Sequence, residues 1–305
     1  MIDMFLGIEI GGTKLQLGLG RGDGQLLGLW RGGVDAAAGG EGIRRQIVAA
    51  VPELLANAGV GRGQLRGVGV GFGGPTDDAT QSVIKSHHIA GWHGFPLAAW
   101  LTELIGLPTV ICNDADVAGL AEALFGAGKG LSPVFYITVG TGIGGGLVID
   151  GEIYRGVGKG AGEIGHLLVP SPSDPADVQI LEHFAAGWGI EARAARRGGL
   201  PPTAKAIAEA ARQGHAGSLR LLDEAVSALA FAIRQVIPLL CPRRIVIGGG
   251  VSLAGEDLFF TPLRRKLGER PFEAFAGLTD VAPAALGEEV VVHGALALAH
   301  RKFVS

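Results

Sequence analysis

Two segments of this chain repeat one device. "IEIGGTKLQLGLG" at Ile8–Gly20 and "ITVGTGIGGGLVIDG" at Ile137–Gly151 each read as a strand, a glycine-rich turn bearing a threonine, and a second strand. In the first, Leu15, Leu17 and Leu19 alternate with Gln16 and Gly18, the period of two that marks a strand. Two copies about 130 residues apart imply a pseudo-duplicated chain of two lobes. The boundary is expected near residue 118, giving lobes 1–118 plus 293–305 and 119–292. The apolar "HGALALAH" stretch is expected to pack back on the first lobe as a helix.

Both turns come close to known phosphate loops and miss in the same way. Gly7 and Gly12 have P-loop spacing, but Thr13-Lys14 is in the wrong order and a strand follows where a helix is required. Gly140-Thr-Gly142-Ile-Gly144-Gly145 fits G-x-G-x-x-G, yet Leu147-Val-Ile149 continues as a strand, so no helix N-terminus meets a pyrophosphate. Either turn alone reads as an ordinary tight hairpin. Together, each with a hydroxyl and bare backbone N–H groups, they point to an anion-binding nest for phosphate.

Elsewhere β-type runs at Val68–Val70, Thr109–Cys112, Val134–Thr138, Ile245–Ile247 and Val290–Val292 alternate with helical patterns, which makes the chain α/β. Ile43, Ile47, Val51 and Leu54-Leu55 share a helix face that Pro52 is expected to kink. Val117–Phe125 reads as a helix closed by Gly126. Leu222, Val226, Leu229, Ile233 and Ile237 form a stripe that Pro238 and Pro242 should end.

Three further spots could carry chemistry. Gly248-Gly249-Gly250 ends a buried strand, which is either a plain turn or a ligand crevice. Asn113-Asp114 stands where a strand stops and a helix starts. Asp114 or Asp116 is then either the helix N-cap or a carboxylate placed to accept a proton in phosphoryl transfer. "GAGEIGH" puts Glu163 and His166 three apart among glycines, as hydrogen-bond partners for a polyol.

Composition closes off other classes. A net charge of −3 without runs of one sign leaves no nucleic-acid or membrane footprint, and two cysteines exclude a disulfide framework. No signal-type segment opens the chain and no apolar stretch approaches the roughly 20 residues of a membrane span, so a cytoplasmic protein is expected.

In order along the chain, "EIGGTK" at Glu9–Lys14, "GVGVGFGGP" at Gly67–Pro75, "GW" at Gly91-Trp92, "ND" at Asn113-Asp114, "TVGTGIGGG" at Thr138–Gly146, "GAGEIGH" at Gly160–His166, "LEHFAAG" at Leu181–Gly187 and "IVIGGG" at Ile245–Gly250 resemble the ROK family (repressor, open reading frame, kinase) of sugar kinases. The resemblance implies an actin-like, ribonuclease-H-like ATPase fold with a nucleotide and sugar cleft between two lobes. It also implies ATP as co-substrate with Mg²⁺, and a homo-oligomer, dimer or tetramer. Gly11, Gly12, Thr13 and Lys14 would form the first phosphate loop, and Gly140, Thr141, Gly142, Gly144 and Gly145 the second. Gly248, Gly249 and Gly250 would lie by the adenosine. Asp114 would be the general base. Gly73, Gly74, Asn113, Glu163, His166 and Glu182 would hold the sugar's other hydroxyls. The implied activity is hexose phosphorylation, glucose at the 6-hydroxyl foremost, with fructose, mannose or an N-acylhexosamine as alternatives.

Three departures bear on function. Many members bind zinc through the histidine of "GEIGH" and a following cysteine cluster. Here "LLVPSPSDPADVQILEHF" has no cysteine, so no zinc is expected, Pro170–Asp177 should be a bare loop, and what holds Glu182 is open. The first loop opens on Glu9 rather than aspartate, a carboxylate that would reach Mg²⁺ through water. His88 stands at a sugar-facing position where asparagine is common. The family's repressor branch carries a DNA-binding domain ahead of its kinase-like core. With the first loop at residue 9, that reading is set aside, leaving a sugar-binding protein without catalysis as the alternative to a kinase.

Overall fold

The computed structural model describes residues 3–86, 89–269 and 273–304. In chain order the strands and helices are β1 (Met4–Ile10), β2 (Lys14–Gly20), β3 (Leu26–Gly33), α1 (Gly39–Asn57), β4 (Leu65–Phe72), β5 (Thr76–Asp77), β6 (Ser82–Val83), α2 (Leu97–Ile105), β7 (Thr109–Asn113) and α3 (Asp114–Leu124). Then follow β8 (Val134–Val139), β9 (Ile143–Ile149), β10 (Glu152–Tyr154), β11 (Leu168–Pro170), β12 (Val178–Ile180), α4 (Glu182–Ala185), α5 (Gly187–Arg197), α6 (Ala204–Arg212), α7 (Ala216–Leu240), β13 (Arg244–Gly248), α8 (Thr261–Gly268), β14 (Asp280–Pro283) and α9 (Val290–Phe303).

The duplication is visible in the two five-stranded sheets, ordered β3-β2-β1-β4-β7 and β10-β9-β8-β13-β14. Each puts the strand before its glycine turn at the centre. In the first sheet β1 pairs antiparallel with β2 and parallel with β4; in the second, β8 pairs parallel with β13. The chain divides into two compact units. One holds Met1–Gly130, Gly146–Ala161 and Leu286–Ser305, the other Leu131–Gly145 and Gly162–Ala285. The first unit therefore runs past the boundary expected at residue 118, because α3 is one unbroken helix packed on α9.

In the first unit the strand period of two sorts side chains between the sheet's faces. Leu6, Ile8 and Ile10 of β1 join Val68, Val70 and Phe72 of β4 in the core that also takes Ile43, Ile47 and Leu101 from α1 and α2. The other face is paved with glycine so that α9 can lie on backbone. A Cβ added to Gly69 would stand 1.9 Å from the Ala295 carbonyl oxygen, and one on Gly67 2.3 Å from the Phe303 ring. The expected packing of the C-terminal helix on the first lobe holds, but Val290–Val292 is its first turn and not a strand. Three β-branched residues are a weak local preference, and burial of Val292 against Phe5 and Leu296 overrides it.

The same closeness recurs where α9 meets α3. A Cβ on Gly294 would lie 1.9 Å from the Val117 carbonyl oxygen. Helix propensity alone favours Gly294→Ala by about 1 kcal/mol, whereas forcing a methyl against backbone costs about 1–3 kcal/mol or more. Sterics wins here, since the obstructing atom cannot rotate away. The variant should melt several degrees lower in a fixed-rate thermal scan, and an unchanged or raised Tm would contradict this packing.

In the second unit α7 is the central helix, packed by α4, α5, α6 and α8, with Leu221, Leu229 and Ile233 buried. Two prolines are milder than expected. Helix α1 continues through exposed Pro52, and α7 runs through Pro238 to Leu240, ending at Cys241 in the left-handed region (φ 42°). Among the described residues no helix is long and apolar enough to cross a membrane.

Candidate active site

In the first unit, three loops meet at the carboxyl ends of β1, β4 and β7. The β1–β2 turn, Gly11-Gly12-Thr13, is closed by Gly11 N donating to the Lys14 carbonyl (3.0 Å), and Gly12 and Thr13 are exposed. Gly73, just after β4, donates its N–H to the Ile10 carbonyl at 2.8 Å. A Cβ on Gly73 would lie 3.5 Å from both the Gly11 Cα and the Asp114 Oδ2. The first glycine turn, Gly73 and Asp114 thus converge within one side chain's reach.

Asn113, not Asp114 or Asp116, is the N-cap of α3. Its Oδ1 accepts from Ala115 N (2.8 Å) and Asp116 N (3.3 Å), and its Nδ2 donates to the Gly74 carbonyl (3.1 Å). That corrects the cap expected at either aspartate. It also leaves the Asn113 amide a second N–H to donate, by the valences of the group. Asp114 is the first residue of the helix and half-buried, with Oδ1 accepting from Ala115 N at 2.8 Å. At this end the helix dipole favours the anionic carboxylate.

Glu9 and Lys14 form an ion pair beside this cluster. Lys14 Nζ lies 3.1 Å from Glu9 Oε1 and donates to the Glu288 carbonyl at 2.9 Å. Lys14, expected among the phosphate ligands, is therefore tied to its own unit. Glu9 is 5 % exposed and its Oε2 is buried without a hydrogen-bond partner.

In the second unit the β8–β9 turn is closed by Gly140 N donating to the Gly142 carbonyl (2.9 Å). The Gly140 carbonyl accepts from Gly187 N (2.8 Å), the first residue of α5, so a helix N-terminus abuts this turn. Glu182 Oε1 accepts from Ile143 N at 2.6 Å, and a Cβ on Gly142 would lie 2.6 Å from the same oxygen. Glu182, expected as a sugar ligand, thus buttresses the second glycine turn as well. Gly145 has a packing role besides the one expected of it. It lies buried in β9, where a Cβ would stand 2.2 Å from the Gly162 carbonyl oxygen, so packing accounts for it. Gly144 is a strand residue of β9 as well.

Glu163 and His166 flank a single helical turn at Ile164–His166 and are both exposed. Desolvation raises the Glu163 carboxyl pKa, His166 lowers it and the charge of Glu182 raises it, so these three groups share one electrostatic neighbourhood. The triple glycine follows β13. Val251 N donates to the Val139 carbonyl at 2.8 Å, and Gly249 (φ 90°) has room for no Cβ beside the Val139 backbone, which sets the cluster against the start of the second turn. Gly250 is open to solvent. His88 lies outside the described residues.

The loop expected at Pro170–Asp177 is present over Ser171–Asp177, but the residues on either side of it are paired. β11 and β12 form an antiparallel hairpin, with Val169 buried, and the seven-residue connection is closed by Ser171 N donating to the Asp177 carbonyl at 2.7 Å. Leu181 N then donates to the Leu167 carbonyl at 2.9 Å. This ladder, with the Ile143 contact, is what holds Glu182. No sequence pattern announced it, since the strands are three residues each and one begins after Asp177.

The ROK family model matches residues 5–302. A glucokinase of Halalkalibacterium halodurans is 34 % identical over 291 residues, covering 89 % of this chain and 86 % of that protein. An N-acetylmannosamine kinase of Escherichia fergusonii is also 34 % identical, covering 82 % of this chain and 84 % of that one. Among solved structures, a ROK-family glucokinase from Streptomyces griseus in complex with glucose and AMPPNP superposes with a TM-score of 0.79 at 30 % identity, covering 98 % of this chain and 99 % of its own. The shared architecture is the actin-like ATPase fold, two sheet-containing lobes. With glycine turns on duplicated sheets, a carboxylate at the head of α3 and a match over nearly its whole length, the chain belongs to the ROK family of sugar kinases.

Proposed function

We propose that this sugar kinase transfers the γ-phosphoryl group of ATP to the 6-hydroxyl of a hexose, glucose foremost. The observation that carries the reading is the convergence of Gly11, Gly73 and Asp114 Oδ2. Phosphoryl transfer has a loose transition state, so an enzyme works mainly by placing the nucleophile and cradling the phosphates. Asp114 accepts the proton of the attacking hydroxyl, with Oδ1 anchored by Ala115 N and Oδ2 on the side of Gly73. Backbone N–H groups of Gly11–Thr13 and Gly140–Gly142 hold phosphate oxygens, and Gly248–Gly250 border the nucleoside. Asn113, Glu163, His166 and Glu182, with the backbone of Gly73-Gly74, hold the remaining hydroxyls. Several polar partners give strong selectivity, because a missing hydroxyl leaves one of them unpaired.

Glu9 would hold Mg²⁺ through water, and the ion when bound would supply neutralisation of the phosphate charge. Such an ion needs only one or two carboxylates beyond water and phosphate, and the partnerless Glu9 Oε2 suits an outer-sphere role. We expect the protein to be cytoplasmic, zinc-free and homo-oligomeric.

The glucokinase and N-acetylmannosamine kinase relatives have the same 34 % identity over their aligned residues, so an N-acylhexosamine is the foremost alternative substrate. A coupled ADP-release assay over glucose, mannose, fructose, N-acetylglucosamine and N-acetylmannosamine tests both. Glucose should give the highest kcat/KM; a higher value for an N-acylhexosamine would move the assignment. No ADP release with any of these sugars would favour a binding protein without catalysis.

A further inference from the structure

Arg155 belongs to none of the motifs above, yet it is joined through a short chain of contacts to the strand that ends at the residue proposed as the base. It follows β10, and its Nη1 pairs with Asp78 Oδ1 at the tip of the β5–β6 hairpin. Asp78 N also donates to the Gly158 carbonyl (2.9 Å), so loop and hairpin are joined through backbone as well. The hairpin is in turn fastened to the strand that ends in Asn113-Asp114. Gln81, held at φ 52°, accepts from Ile111 N through Oε1 at 2.9 Å. The hairpin also continues directly from Gly74, whose carbonyl Asn113 holds.

Arg155 and Asp78 line a cavity of about 280 Å³ together with Val110 of β7 and Leu120 of α3. Cys112 Sγ contacts Asp116 Oδ2 at 3.7 Å, a link across the strand–helix junction at Asn113-Asp114. Asp116 is 2 % exposed. Burial pushes the Cys112 thiol's pKa well up, Asp116 pushes the same way and Arg155 opposes it, which puts the guanidinium within electrostatic reach of the junction. A buried carboxylate such as Asp116 is costly unless a cation offsets it.

Building on the reading of Asp114 as base, we propose that Arg155 is a positioning residue for it. The guanidinium neutralises Asp78 and the field of Asp116, and so fixes both the Gly74 hairpin and the first turn of α3. With that charge gone, the start of α3 relaxes and the Asp114 carboxylate leaves its place beside Gly73.

The test is steady-state kinetics of the full chain with ATP and its best sugar, for Arg155→Met, Arg155→Lys, Asp78→Asn and the Arg155→Met/Asp78→Asn pair. Misplacing a catalytic group by about 1 Å costs up to about a hundredfold. Arg155→Met should therefore lose roughly ten- to a hundredfold in kcat with the KM for ATP unchanged. Arg155→Lys should recover part of the loss, and the double variant should be no slower than Arg155→Met alone. Lys159→Ala is the control. Its pair with Asp77 joins the same two segments, but Lys159 is 64 % exposed and such pairs contribute little, so its kcat should match wild type. A folded Arg155→Met with wild-type kcat, or additive losses in the double variant, would overturn the proposal. If Arg155→Met fails to fold, Asp78→Asn decides by the same criterion: reduced kcat at normal KM supports it, wild-type kcat refutes it. An active Asp114→Asn would instead remove the base assignment itself, a separate result from these.

Discussion

Asp114→Asn should lower kcat by about 10²–10⁴-fold, the range spanned by general-base contributions, while sugar affinity changes only a few-fold. The substitution is nearly isosteric. Asparagine can keep the bond from Ala115 N to Oδ1 and is itself compatible with a helix start, so α3 and the Asn113 cap should survive. What it loses is the ability to take a proton and the charge that the helix dipole favours. ADP-release kinetics give kcat, and calorimetric titration with the sugar gives affinity without turnover. A variant retaining near-wild-type kcat would show that Asp114 is not the base.

Glu9 should make stability depend on pH in an unusual direction for a carboxylate. Burial pushes its pKa from the ordinary 4.5 up to about 7, against the lowering effect of Lys14, while Asp114 and Glu288 add to the rise. Burial prevails over the ion pair for a structural reason: the Lys14 ammonium is partly solvated, and Glu9 Oε2 has no donor at all. Because the folded pKa lies above the unfolded one, the group's contribution is fully present below pH 4.5 and is lost as pH rises through about 7. At about 1.4 kcal/mol per pKa unit the loss is on the order of 3 kcal/mol. Urea denaturation of wild type and Glu9→Gln across pH 4.5–8 reads it directly. The wild type should weaken relative to the variant over that interval; parallel curves would mean that Glu9 ionises normally in the fold.

Much of the fold was legible because its rules are local. Alternation in Leu15–Leu19 and the valine–glycine repeat before Phe72 both mark strands, and the recurrence of the glycine turn foretold two sheets of one plan. Where the sequence misled, a distant partner decided. The valines at 290–292 read as a strand until their burial on the sheet is known, and the packing need for glycine at 145 shows only once Gly162 is seen against it. Site residues divide the same way. The short motifs locate Asp114 and the turns, but nothing local says that Glu182 also braces Ile143, that Lys14 is engaged by Glu288, or that Arg155 answers Asp78 from 77 positions away. Such pairings are set by topology, and topology is not written in a window of ten residues.

The glycine-paved sheet carries a cost in time. Strand β4 ends at Phe72 and its cover, α9, begins at Val290, so about 220 residues must be synthesised before that face can be closed. At about 5–20 residues per second the nascent sheet would wait roughly 10–45 s with bare backbone uncovered on one side. Chaperone occupancy of stalled nascent chains should accordingly persist until α9 leaves the ribosome.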